Sequence, residues 1–196
     1  MQGALSIFMR SCVAFALLAA CSAYAVSAQD TDRQVVSAVL SHFVARTDEW
    51  FYAAAAKLAI SSTTRKKFWV ASDYQYLNQP GHKCEIDKPL YLEFLARNVK
   101  EEPVAAMVAD SASWFIVPRE QEKFLGVGMP TPENMTKRIA VKTLVKLSRP
   151  AYSKDGDRAF IMFSYPWSIH SAYAQYVLRR QTGKWNVECA EFPHSV

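Results

Sequence analysis

Four cysteines and four histidines are the residues through which this 196-residue chain could do covalent or metal chemistry, and their spacing argues against most of it. A zinc site needs three or four ligands drawn together. His82 and Cys84 stand two residues apart in a loop-like stretch, and His170 and His194 have no neighbouring ligand in sequence. Asp155-Gly156-Asp157 lacks the further acids and closing Glu of a calcium loop, so it reads as a turn. Glu101-Glu102 and Asp48-Glu49 are adjacent pairs. Neighbouring side chains point in different directions on a helix or a strand, which suits solvated charges rather than an acid–base couple. No G-x-S-x-G elbow occurs, and the glycine pattern of Gly126-Val127-Gly128-Met129-Pro130 is too incomplete to cradle a nucleotide. The chain therefore calls for no catalytic residue, no metal and no cofactor, which favours a protein that is not an enzyme.

The cysteines point to a compartment instead. Residues 1–28 have the three parts of an export signal, with Arg10 as the positive n-region, Cys12 to Ala20 as a short apolar run, and small residues after it. That run falls well short of the ~20 residues needed to span a bilayer as a helix. Two processing sites compete. Leu18-Ala19-Ala20-Cys21 matches a lipobox, which would make Cys21 a lipid anchor. Ala23-Tyr24-Ala25 and Val26-Ser27-Ala28 suit ordinary signal peptidase and would leave a free chain. Both routes consume or remove Cys12 and Cys21, and both leave one pair, Cys84 and Cys189, in an oxidising compartment. We expect them to be bridged, with the rest of the chain, 29–196, as one domain. The expected location is periplasmic or secreted, or anchored in the outer membrane through Cys21.

The formal net charge of +5 comes from Lys and Arg scattered among eighteen acids. The one compact run, Arg65-Lys66-Lys67, reads as a solvated helix face, and no nucleic-acid partner is expected. Contact with a membrane is expected only through a lipid on Cys21. The remaining cluster is aromatic: Tyr165, Trp167, His170, Tyr173 and Tyr176. Alternate members can fill a core while the rest shield a sheet edge, or the group can present a binding tip. Tyr176 is assigned to the core, and Trp167, His170 and Tyr173 are the candidate tip.

These residues need elements to hold them. Val35, Val36, Val39, Leu40 and Phe43 recur at helical spacing over 31–45, with Thr31 or Asp32 as the N-cap. The alanine run after Trp50 is ambiguous, LAISSTT ends like a strand, and Thr63 to Val70 reads as a second helix start. Residues 74–88 form a loop carrying Cys84, and Pro89 opens a helix that ends near Asn98. Residues 113–117 read as a strand, and Pro118 to Leu125 as a helical turn. From Val141 onward come four β-runs, Val141 to Leu147, Ala159 to Tyr165, Ala172 to Leu178 and a last strand, with turns at Ser153–Asp157 and Gln181–Lys184, and Trp185, Val187 and Cys189 sharing the inward face of the last. Helices followed by an antiparallel meander make an α+β fold, with the sheet either flat or curved into a cone.

LSRPAYSKDGDRAFIMFSYP (147–166) and YVLRRQTGKWNV (176–187) resemble the C-terminal hairpins of a group of uncharacterised bacterial secreted and envelope proteins. In that group an SR-x-x-F-s-x-D-G-x-x-A strand pair leads to a closing G-x-W-x-V hairpin. YLEFLARN (91–98) and LAISSTT (58–64) are similar to that group's short helix and early strand. The resemblance is strongest over 144–188 and implies turns and core rather than chemistry. The crossing between hairpins, small and glycine-rich in that group, here reads PWSIHS (166–171).

Two functions follow as expectations. The first is a non-enzymatic envelope protein that binds another envelope protein. The second is a small-ligand binder or enzyme with a nuclear-transport-factor-like cone, its apolar pocket holding His170 or Asp73.

Overall fold

The computed structural model describes residues 28–46, 57–66, 68, 73–125, 141–167 and 170–192, with the side chains of Trp167 and His170 left out. The leader with Cys21, the alanine run after Trp50 and the Gly126–Pro130 loop lie outside these residues. Helix α1 covers 28–46. Its five apolar residues Val35, Val36, Val39, Leu40 and Phe43 are fully buried, and each such burial is worth about 1.5–3 kcal/mol.

The chain then enters β1 (Leu58–Ser61). Beyond it the expected second helix is absent over 63–66. Thr63 bridges to Pro103 instead, and the Thr64 N–H donates to the Glu102 carbonyl at 2.8 Å. The run Ser61-Ser62-Thr63-Thr64 is poor in helix formers, and its hydroxyls offer the backbone other bonds. Helix α2 (Tyr74–Leu77) is one turn, capped by Asp73, whose carboxylate accepts from the Gln75 N–H. Helix α3 (Lys88–Arg97) starts at Asp87, which accepts from the Leu90 N–H, with Pro89 in the first turn. It ends at Asn98, whose amide donates to the Phe94 and Arg149 carbonyls.

Next come β2 (Trp114–Val117), a 3-10 helix at Arg119–Phe124, β3 (Leu144–Leu147), β4 (Ala151–Tyr152), β5 (Arg158–Trp167), β6 (His170–Gln181) and β7 (Lys184–Glu191). The seven strands form one sheet in the order β2-β1-β3-β5-β6-β7, with β4 also on β5. The C-terminal hairpins are antiparallel as expected, and Gly156 turns one of them at φ +75°. The early strands differ from a pure meander, because β1 runs parallel to both β2 and β3. The result is an α+β fold with a mixed, mostly antiparallel sheet.

Side-chain alternation divides this sheet into two faces. Leu58, Ile60, Val145, Leu147, Ile161, Phe163, Tyr176 and Leu178 join the α1 residues in the main core. Phe43 packs edge-on to Phe163 at 4.7 Å between ring centroids. This face of the sheet is thus covered by α1. Phe160, Met162, Tyr173 and Val177 point the other way and meet Leu90, Tyr91 and Phe94 of α3.

The expectation that Trp185, Val187 and Cys189 share one face is corrected. Leu178 pairs with Val187 but Val177 pairs with Cys189, so Glu188 is an extra residue in a bulge. A bulge flips the alternation by one residue. Trp185 and Val187 therefore join the α1 core, while Cys189 turns to the other face and meets Cys84 there, with 5.4 Å between their Cα atoms in the disulfide. Asp73, expected as a pocket residue, is a helix cap.

Candidate functional site

The face opposite α1 is apolar at both ends and polar between. At one end Ala59, Val117, Leu125, Val141 and Leu144 form a small cluster. At the other lie Phe160 and Met162 under α3. Register places a polar row between them. Lys146 of β3 is opposite Ser164 of β5, which is opposite Tyr173 of β6. Ser61 of β1 follows Ile60, the partner of Val145, and so completes the row beside Lys146.

A cleft of about 310 Å³ opens over this row. Glu122, carried by the 3-10 helix after β2, ties β1 to β3. Its Oε1 accepts from Ser61 Oγ and its Oε2 from Lys146 Nζ, each at 2.6 Å. Its side chain is 12% exposed while that of Lys146 is 40% exposed, so the carboxylate is sunk and the ammonium reaches the opening. Arg65, just past β1, donates from Nη1 to Ser164 Oγ at 2.9 Å and from Nη2 to the Tyr173 hydroxyl at 3.4 Å. Its guanidinium lies 5.4 Å from the Tyr173 ring and 5.5 Å from that of Phe68, within cation–π range. At the mouth Arg119 pairs with Glu101 at 3.1 Å. Tyr165, Pro166 and Ser171 complete the wall.

Ser61 donates its hydroxyl proton to Glu122, whose other carboxylate oxygen accepts from Lys146. The two histidines with described side chains lie elsewhere. His42 of α1 contacts the Tyr176 hydroxyl at 3.3 Å, and burial, aided by Arg46, lowers its pKa. His82 Nδ1 stands 3.2 Å from Glu191 but is not aligned for a hydrogen bond. No group of three or more His, Cys, Asp or Glu among the described residues is placed to hold a metal ion. What the cleft offers is a dense set of donors and acceptors, with three cations and two acids in its lining.

The residues singled out from sequence are distributed as follows. Cys84 and Cys189 are joined. Trp167 and His170 pair in register where β5 meets β6. Tyr173 is only 5% exposed; its ring is in the core under α3 and its hydroxyl accepts from Arg65. Tyr176 is fully buried. Arg65, expected on a solvated helix face, is not in a helix and is bound into the cleft, and Glu101 and Tyr165 also line it; Ser61, Arg119, Glu122, Lys146 and Ser164 were not singled out from sequence. Their one signal is a polar residue where an alternating run should stay apolar, as Ser164 stands after Phe160 and Met162.

A second polar group was also missed. Asp32, expected as an N-cap, lies inside α1 and is 7% exposed. Its Oδ1 accepts from the Tyr152 hydroxyl at 2.7 Å, and both oxygens accept from Arg97 Nη2, at 3.1 and 3.0 Å. Arg149 approaches to 3.8 Å. This hub fastens α1 to α3 and β4.

Burial raises the hydroxyl pKa of four tyrosines among the described residues: Tyr91, with Asp73 adding to it, and three others. Burial pushes the Tyr165 hydroxyl up to about 12. Burial raises Tyr152 and Tyr176 further, with the neighbouring Asp32 adding to the first and Tyr165 to the second. In the unfolded chain tyrosines ionise near pH ~10, whereas the folded protein keeps these three neutral. Their contribution to stability is therefore complete below about pH 10 and lost as pH rises above it. An alkaline titration should show their tyrosinate absorbance appearing together with unfolding. Ionisation of all tyrosines while the fold persists would contradict this.

No helix among the described residues is long and apolar enough to cross a membrane. Comparison with protein-family models, with curated proteins and with solved structures returns no match.

Proposed function

We propose that this chain is an exported, non-enzymatic binding module of the bacterial envelope, and that the cleft beneath Arg119 and Lys146 receives a polar segment of another envelope protein. Export rests on the leader-like residues 1–28 and on the Cys84–Cys189 bridge, a linkage favoured outside the reducing cytoplasm. The reading of the N-terminus stays two-sided: release after Ala28, or acylation of Cys21 with attachment to the outer membrane.

The observation that carries the binding role is the polar row itself. The same sheet face is packed with apolar side chains on both sides of Ser61, Lys146 and Ser164. These three residues interrupt the apolar packing and bring hydrogen-bonding groups to an open cleft, and a few convergent polar groups in a cleft are what fixes the orientation of a bound ligand.

Site-specific photo-crosslinking in living cells tests this. A crosslinking residue at Thr63 or Ser171 should capture a discrete partner, and the capture should vanish when Lys146→Glu is added. A probe at Thr182, on the far hairpin turn, should capture nothing. Equal capture from all three positions, or none from Thr63 and Ser171, would count against the cleft. A cleft of about 310 Å³ also suits a small polar molecule, which is the second reading. Native mass spectrometry of the protein taken from the envelope would then show a bound mass that is lost in the Lys146→Glu variant.

A further inference from the structure

Donors and acceptors in the cleft are not balanced. Both oxygens of Glu122 already accept, one from Ser61 and one from Lys146, and Glu101 accepts from Arg119 at the mouth. Donors are left over. An ammonium carries three N–H groups, and among the described residues Lys146 commits one of them, to Glu122. Ser164 and Thr64 are only 3% and 2% exposed, and both line the cleft. The Ser164 hydroxyl accepts from Arg65 and the Thr64 hydroxyl from the Glu102 N–H, but neither donates its own proton to a group among the described residues. Buried polar groups ordinarily find partners, so these two protons mark a place for an acceptor that comes from outside.

The three groups converge. Lys146 and Ser164 are register partners on β3 and β5. The Arg65 N–H donates to the Leu147 carbonyl at 2.8 Å, which sets Thr64 against the same strand. Charge then selects the acceptor. The lining holds the cations Arg65, Arg119 and Lys146 and the acids Glu101 and Glu122, one positive charge in excess. A neutral carbonyl leaves that excess in place, and a phosphate dianion overshoots it beside two carboxylates. A single carboxylate cancels it, and its charge-assisted bonds are about twice as strong as neutral ones. Resting on the reading of this cleft as the binding site, we propose that an acidic side chain of the partner segment seats its carboxylate on the cleft floor. It accepts there from Lys146 Nζ and from the hydroxyls of Ser164 and Thr64.

Titration of the mature chain, followed by nitrogen–proton correlation NMR, tests this with three probes: a capped pentapeptide bearing one glutamate, its glutamine counterpart, and inorganic phosphate. The glutamate peptide should shift the amides of Thr64, Lys146 and Ser164 and saturate. It should bind about ten-fold tighter than the glutamine peptide, as charged hydrogen bonds require, and tighter than phosphate. Lys146→Gln should abolish the preference and Thr64→Val should weaken the glutamate peptide several-fold, with the spectra themselves reporting that each variant is folded. Equal binding of the two peptides, no binding, or phosphate bound more tightly would each overturn the proposal. So would a Lys146→Gln variant that keeps the preference. The crosslinks from Thr63 and Ser171 report on the cleft separately. Partner capture together with equal binding of the two peptides would remove the carboxylate and leave the cleft standing.

Discussion

Serine in place of both Cys84 and Cys189 is expected to cost up to ~4–5 kcal/mol, the chain-entropy value for releasing so long a loop. The bridge closes 105 residues, including α3 and the strands up to β7. Its two ends also come from unlike elements. Cys84 sits in the segment between α2 and α3, and Cys189 follows the Glu188 bulge on the last strand. No other covalent link holds that segment to the sheet, and Cys84 packs with Ile86 and Leu77 in the cluster beneath α3. Unfolding temperature should fall by roughly 10–15 °C, at about 2–4 °C per kcal/mol for a chain of this size. Wild type treated with reductant should melt with the double variant. Equal melting of oxidised wild type and variant would show that the bridge does not constrain the unfolded chain.

Asp32→Ala should be the most damaging single change outside the apolar core, at about 3–5 kcal/mol. Removing the carboxylate strips Arg97 of its ion pair and Tyr152 of its acceptor in a largely buried place. A buried charge left without its partner costs far more than the pair contributed. Arg97 Nε has no hydrogen-bond partner, so the guanidinium depends on its bonds from Nη2. Arg149, at 3.8 Å from the same carboxylate, adds a second cation to the uncompensated site. Replacing both partners, as in Asp32→Leu with Arg97→Met, should recover most of the loss, since well-packed apolar pairs often match a buried ion pair. Urea denaturation of the three variants measures this. A single Asp32→Ala loss below about 1 kcal/mol would place the hub among ordinary surface ion pairs.

The C-terminal hairpins were legible because each run alternates cleanly and its turn carries a glycine at positive φ, Gly156 or Gly183. Helices α1 and α3 were legible from apolar spacing and from the Pro89 start. The parallel seating of β1 between β2 and β3 was not, because strands of four residues leave their partners to tertiary packing. The bulge at Glu188 is silent in sequence, since Trp185, Val187 and Cys189 still alternate by type. The cleft was hidden for a different reason. Its lining comes from stretches near residues 61–65, 101, 119–122, 144–146, 164–166 and 171, and no motif links segments so far apart. Asp32 misled because an acid near a helix start has the composition of a cap, and only the approach of Arg97 and Tyr152 shows otherwise.

Export and a bridged, ordered domain are the premises on which the binding role stands. The intact mass of the protein isolated from the cell envelope under non-reducing conditions tests both at once. The account predicts a chain that begins at Gln29, or at an acylated Cys21, with a mass two hydrogens lighter than the reduced form. A chain that retains Met1 and carries Cys84 and Cys189 as free thiols would contradict it.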